Sequence, residues 1–131
     1  MAAYLLDTGL LLLHLRGQRR YVRLIRELGK GSLLICAVTR TELYAGMLPH
    51  ERWDTRRLLA RMETVPVDRA IADRAGDLIH RAHSQGRTLH VADALIAATA
   101  VQQGVTLVTL NVRHFEGLGV RLFPAAAQPT T

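Results

Sequence analysis

Ala3-Tyr4-Leu5-Leu6-Asp7-Thr8-Gly9 is a short apolar run cut off by an acid, a hydroxyl and a glycine. Apolar residues without alternation mark a strand buried on both faces, as in a parallel sheet, and the polar stop marks its carboxyl end. Similar runs recur further along. Leu33 to Val38 reads as a second buried strand, Thr106 to Thr109 as another, and Val120 to Phe123 as the last. Val65-Pro66-Val67 is too short for more than an edge strand. Helical spacing fills the intervals. It covers Leu10 to Leu15 and Tyr21 to Leu28, the latter ended by Gly29-Lys30-Gly31. A third helix opens at Thr39, which suits an N-cap with Glu42 as its capping-box partner, and breaks at Pro49. The charged segment Glu51 to Glu63 predicts an amphipathic helix offering Trp53, Leu58, Leu59 and Met62 for packing. Asp68 caps a helix reaching about Gln85, and Val91 to Gln103 forms a small-residue helix closed by Gly104. Strands alternating with helices predict a three-layer α/β/α sandwich around a mostly parallel sheet. In such sheets ligands bind outside the carboxyl ends of the strands, which nominates Asp7, the turn from Thr39 to Glu42, and Asn111 to His114.

The chain has 131 residues, 49% of them apolar, enough for a single core without covalent staples. We expect one domain over residues 1–124 and a flexible tail over 125–131. No repeat with a period of 20 to 50 residues is present, so a solenoid is excluded. Cys36 is the single cysteine, which rules out an intrachain disulfide and a cysteine zinc site and fits a buried thiol in a cytoplasmic protein. The apolar N-terminus lacks a basic leading segment and carries Asp7 inside it, unlike a signal peptide. No stretch approaches the roughly 20 apolar residues of a membrane span. The formal charge is +6, and 16 of the 17 basic residues are arginine. Arginine grips phosphate through a planar fork, so this excess points toward nucleic acid or an acidic partner, although a GC-rich genome also enriches arginine.

Only eleven residues are acidic, and three of them stand where a charge gives a soluble fold little. Asp7 ends a strand, Glu42 opens a helix after another, and Asp93 interrupts the most apolar helix. Each has a structural explanation: Asp7 as a helix cap, Glu42 as the partner of Thr39, Asp93 as an acid facing the helix dipole. Together they suggest one pocket. Gathered carboxylates repel one another and take up protons unless a cation sits among them. Oxygen donors without cysteine select a hard ion, Mg²⁺ or Mn²⁺, and the natural reaction of such a site is phosphodiester hydrolysis.

Four segments in order carry a family resemblance: Asp7-Thr8; Thr39-Arg40-Thr41-Glu42-Leu43; Ala92-Asp93-Ala94-Leu95-Ile96-Ala97-Ala98-Thr99-Ala100; and Leu107-Val108-Thr109-Leu110-Asn111-Val112-Arg113-His114-Phe115. The chain resembles PIN domains, and among them the VapC-type toxins, over nearly its whole length. The resemblance implies an endoribonuclease dependent on Mg²⁺ or Mn²⁺ that acts on structured RNA such as tRNA or rRNA. It also implies a homodimer and a cognate VapB-like antitoxin. Asp7, Glu42 and Asp93 match the family's acidic metal positions. The fourth position departs from the fullest pattern. Asn111 takes it as a neutral oxygen donor and catalytic residue, with His114 nearby to bind phosphate or move a proton. Thr8 and Thr109 would hydrogen-bond the acids as supports.

Arg40 and Arg113 flank the expected pocket in sequence and, with His114, are candidates for RNA contact. The run Arg16, Arg19, Arg20, Arg23 and Arg26 is either a solvated face or a track for phosphates or an acidic antitoxin segment. Few aromatic residues are present, so recognition would rest on phosphate and RNA shape. His80 and His83, three apart on a helix, have no third ligand near them in sequence and read as a solvated face. His14, His50 and His90 receive no role. Two other readings remain: a PIN-fold RNA- or protein-binding module with weak catalysis, prompted by the missing fourth acid, and a small phosphohydrolase, for which Asp7-Thr8-Gly9 lacks a second acid or a lysine.

Overall fold

The structure, a computed structural model, describes residues 2–125. Five strands form one sheet, β1 (Ala3–Leu6), β2 (Ser32–Cys36), β3 (Glu63–Val65), β4 (Thr106–Thr109) and β5 (Leu122–Pro124), in the spatial order β3-β2-β1-β4-β5. Every pairing is parallel. The helices are α1 (Thr8–Leu15), α2 (Arg19–Leu28), α3 (Ala37–Gly46), α4 (Arg52–Ala60), α5 (Arg69–Ser84), α6 (Val91–Gln103) and α7 (Val112–Phe115), with a 3₁₀ turn at Pro49–Glu51. None of the helices among the described residues is long and apolar enough to cross a membrane.

Alternation along each strand sorts the core into two layers. Leu5, Leu34, Cys36 and Leu107 face one side, where they meet Ile71, Ala75 and Leu78 of α5 and Ala94, Ala97 and Ala98 of α6. Leu6, Leu33, Ile35 and Val108 face the other, against Leu10 and Leu11 of α1, Ile25 of α2, Leu43 of α3 and Leu58 of α4. The sheet is therefore covered on both faces, the three-layer sandwich expected from the continuous apolar runs. The alanines of α6 allow that helix to pack closely; Ala94, Ala97 and Ala98 have no exposed surface. Gly104 then closes the helix in the left-handed region at φ 66°.

β1 lies at the centre with β2 on one side and β4 on the other. This is where the connections leave in opposite directions, and Asp7 is the first residue beyond its carboxyl end.

Several expectations shift. β2 ends at Cys36, and α3 begins at Ala37, so Thr39 lies inside the helix and no capping box with Glu42 forms. A capping arrangement exists instead at the 3₁₀ turn, where the buried Glu51 accepts from the Leu48 N–H at 2.7 Å. Leu58, Leu59 and Met62 are buried as expected, whereas Trp53 is 67% exposed and packs into no core. The last strand starts two residues later than expected, and α7 was not foreseen. The edge strand is Glu63–Val65, and it pairs with β2 before Pro66 stops it. Ala125, assigned by sequence to the tail, is fully buried; the rest of that expected tail, 126–131, lies outside the described residues.

Candidate active site at the carboxyl ends of the central strands

Asp7 follows β1 and forms the N-cap of α1; its Oδ1 accepts from the Thr8 N–H at 2.8 Å. Its other oxygen, Oδ2, accepts from the Thr109 hydroxyl at 2.7 Å, across 102 residues of sequence. The capping explanation for Asp7 thus holds, and a second bond, from the end of β4, goes beyond it. Thr109 is itself fixed, because its Oγ1 accepts from the Asn111 N–H at 3.0 Å.

Glu42 sits one and a half turns into α3, half-buried. Its Oε1 accepts from the Thr8 hydroxyl at 2.7 Å. Thr8 also lies 3.2 Å from the hydroxyl of the fully buried Thr39. One hydroxyl carries one proton, so the shorter contact to Glu42 takes it and the Thr39 hydroxyl is left to donate toward Thr8. Thr39 is therefore part of the site as a support for Thr8. Sequence reasoning gave it a different task, and its hydroxyl at the third position of a buried helix was the available signal.

Asp93 lies in the first turn of α6, and its Oδ2 is 3.8 Å from His114 Nδ1 at the start of the segment after β4. Burial pushes the Asp7 carboxyl above its ordinary value of 3.8. The negative charges of Asp93 and Glu42 push it further, against the two hydrogen bonds from Thr109 and Thr8. Asp93 and Glu42, 86 and 35 positions away in sequence, are therefore near enough in space to act on Asp7. Among the described residues, no group of three or more His, Cys, Asp or Glu side chains is already drawn together into a metal cage. The donors are all carboxylate oxygens, and one of them is buried near like charges with no cationic side chain among the described residues bonded to it. That chemistry fits a hard divalent ion, which relieves the repulsion; Asp7, Glu42 and Asp93 are the residues that would hold it.

Asn111 is exposed, and its side chain makes no capping bond to α7. What ties it to the acids is its backbone N–H through Thr109. Arg113 and His114 are exposed and line a cleft beside the acids. Arg40 is turned elsewhere, its Nη1 donating to Thr64 Oγ1 of β3 at 3.0 Å. Arg16 is engaged too, donating to the Gly46 carbonyl and lying 3.9 Å from Glu51. Arg19, Arg20, Arg23 and Arg26 are exposed along α2, and the Arg20 guanidinium stands 6.0 Å from the Tyr21 ring. His80 and His83 are exposed on α5. Sequence reasoning missed Arg87, whose guanidinium donates to three carbonyls around α7, those of Arg113, His114 and Glu116. Nothing local marks it, since its partners lie 26 to 29 residues away.

The family model for the PIN domain matches residues 4–119. Ribonuclease VapC10 of Mycobacterium tuberculosis is 40% identical over 114 residues, 85% of this chain and 84% of that protein. The tRNA(fMet)-specific endonuclease VapC of Shigella flexneri is 28% identical over 124 residues, 91% of this chain and 94% of that protein. Among solved structures, a toxin-antitoxin complex from Klebsiella pneumoniae contains a chain similar to this one with a TM-score of 0.79 and 25% identity. The likeness covers 92% of this chain and 97% of that one.

Proposed function

Because this chain belongs to the PIN-domain family, we propose that it is a VapC-type endoribonuclease that hydrolyses RNA phosphodiester bonds with Mg²⁺ or Mn²⁺. It acts as the toxin of a pair whose antitoxin is VapB-like. The observation that carries the reading is the buried Asp7, held by Thr8 and Thr109, whose pKa is raised first by burial and then by the charges of Asp93 and Glu42. A protein gains no stability from three acids set against one another; a cation among them restores balance.

When bound, the divalent ion supplies an acidic water and neutralises charge on the leaving oxygen. The chain's own groups have separate tasks. Thr8 and Thr109 fix the carboxylates of Glu42 and Asp7 in orientation, which is how hydroxyls around a metal site sustain affinity. Asn111 offers a neutral oxygen at the fourth position. His114, beside Asp93, is placed to move a proton or to meet phosphate. Arg113 lines the same cleft as His114 and serves as a cation for the RNA backbone; Arg40, bound to Thr64, is the weaker candidate of the two.

The relatives named ribonuclease and tRNA endonuclease support RNA as substrate, with tRNA or rRNA the class, and the similar chain in a toxin-antitoxin complex supports the partner. The proposal includes a homodimer acting in the cytoplasm. The test is cleavage of total tRNA and rRNA by purified protein with Mn²⁺ or Mg²⁺ and with EDTA. The expected result is cleavage that needs the ion and is lost in Asp7→Asn, Glu42→Gln and Asp93→Asn. RNA binding without turnover under every ionic condition would replace this reading with that of a binding module.

A further inference from the structure

At the carboxyl end of β4, reaching toward Asp93 through His114, lies a cleft of about 610 Å³. That is within the range of sites for small organic groups, about 300–1,000 Å³. Leu110, Val112 and Pro124 give it apolar surface, while Asn111, Arg113 and His114 supply polar groups. His114 belongs to both places: it lines the cleft and stands 3.8 Å from Asp93. Whatever occupies the cleft is therefore next to the atoms that would meet the scissile phosphate.

The lining distinguishes between two occupants. A site for a bare phosphate collects donors and excludes acids, yet Glu116 is part of this wall and much of the rest is aliphatic. A heterocyclic base has the opposite needs: apolar faces, and an edge that alternates donors with acceptors. Asparagine and glutamate are side chains that pair with base edges, and imidazole and guanidinium planes serve as stacking surfaces for unpaired bases. The lining thus has the parts for a base and is poorly made for an anion.

The wall is also held in advance. Arg87, in the loop between α5 and α6, donates from Nη1 to the Glu116 carbonyl at 2.8 Å and from Nη2 to the Arg113 and His114 carbonyls at 3.3 Å each. One guanidinium therefore ties three carbonyls of a four-residue helix and its exit. An occupant meets an ordered surface and does not have to order it, which lowers the cost of binding.

We propose that this cleft receives one unstacked base of the RNA, from a nucleotide adjoining the phosphate under attack. The inference rests on the ribonuclease reading and extends it: the base in the cleft contributes to the choice of cleavage site. Stacking falls to the guanidinium plane of Arg113, whose charge also serves the adjoining backbone, and edge recognition to Glu116, while Asn111 and His114 keep their tasks beside the acids.

The test uses the full chain, isotopically labelled and kept in EDTA so that no RNA chemistry intervenes. AMP, CMP, GMP and UMP are titrated in turn, with ribose 5-phosphate and inorganic phosphate as controls. Nucleotides should shift the backbone resonances of residues 110–116 with an amplitude that depends on the base, and the two controls should leave them in place. Arg113→Ala, a change at an exposed residue that leaves the melting temperature intact, should weaken nucleotide binding at least ~5-fold. Equal shifts from ribose 5-phosphate would make the cleft an anion site and overturn the proposal, as would silence of residues 110–116 toward all four nucleotides. Ion-dependent cleavage alongside such silence would remove the base site while leaving the ribonuclease standing. Base-dependent shifts without any cleavage would support the cleft and count against the ribonuclease alone.

Discussion

Replacing Thr109 by valine preserves the shape of the side chain and removes the hydroxyl. Thr109 is fully buried at the end of β4, donates to Asp7 Oδ2 at 2.7 Å and accepts from the Asn111 N–H at 3.0 Å. A hydrogen bond to a charged group contributes about 1.5–3 kcal/mol. Taking roughly 2.1 cal/mol/K of unfolding entropy per residue over 131 residues, the melting temperature of Thr109→Val should fall by about 5–11 °C. The substitution also removes an influence that lowers the Asp7 pKa, so the carboxylate becomes still less willing to ionise. Cleavage should drop about 10–100-fold, the usual effect of losing a hydrogen bond to a metal-holding side chain. The decisive assay is a thermal melt in EDTA of the parent, Thr109→Val, Asp7→Asn and the double variant. A neutral amide oxygen still accepts a bond of about 0.5–1.5 kcal/mol, so the effect of Thr109→Val should shrink by roughly half in the Asp7→Asn background. An equal loss in both backgrounds would refute the reasoning, because Thr109 would then act by packing and not through the charge of Asp7.

The same acid sets a pH dependence. Its pKa in the fold is raised above 3.8, so folding favours the protonated form more than the unfolded chain does, and the stability this contributes is complete below 3.8 and lost as pH rises through the folded value. Asp7→Asn stays neutral throughout: without metal it should be more stable than the parent at neutral pH, an advantage that vanishes below 3.8, while its cleavage of RNA disappears. Urea midpoints at the two ends of that range check this, and a less stable variant at neutral pH would contradict it. Ala97→Leu forces four-carbon bulk into a fully buried position of α6 and should lower stability by about 1–3 kcal/mol in the same denaturation experiment. Two glycines should answer oppositely. A Cβ on Gly31 would stand 2.1 Å from the Ala2 carbonyl oxygen, which accepts from the Ser32 N–H at 2.9 Å, so Gly31→Ala should destabilise by at least ~1 kcal/mol. Gly76 in α5 has no neighbour within 4 Å of that position, and Gly76→Ala should stabilise by about 0.5–1 kcal/mol.

The strand-forming runs were legible because burial on both faces leaves no room for polar residues, and Leu5-Leu6, Leu33 to Cys36 and Leu107-Val108 obey that rule. Helix ends were legible where a single residue sets them. Asp68 accepts from the Ile71 N–H, and Gly104 takes a left-handed conformation, both as expected. The start of α3 was not, because Ala37 and Val38 continue the apolar run of β2 without a break in composition. A residue that is apolar in either element carries no boundary signal. The placement of Thr39 followed the same ambiguity, and with it the supposed capping partnership of Glu42. Asn111 and His114 were nominated through their position after a strand, whereas Arg87 was out of reach, since its guanidinium bonds main-chain carbonyls of a distant segment.

The sequence by itself determined the parallel sandwich, and it nominated the strand ends and the three acids proposed as the site, because periodicity and misplaced charge are local properties of a chain. Only the tertiary structure decided how those acids are held. The strand order puts β1 between β2 and β4, and so brings Thr109 to Asp7 and Thr8 to Glu42. Hydrogen bonds between segments 34 and 102 residues apart depend on sheet register and on the direction of each crossover, and neither is written in the composition of the segments that they join.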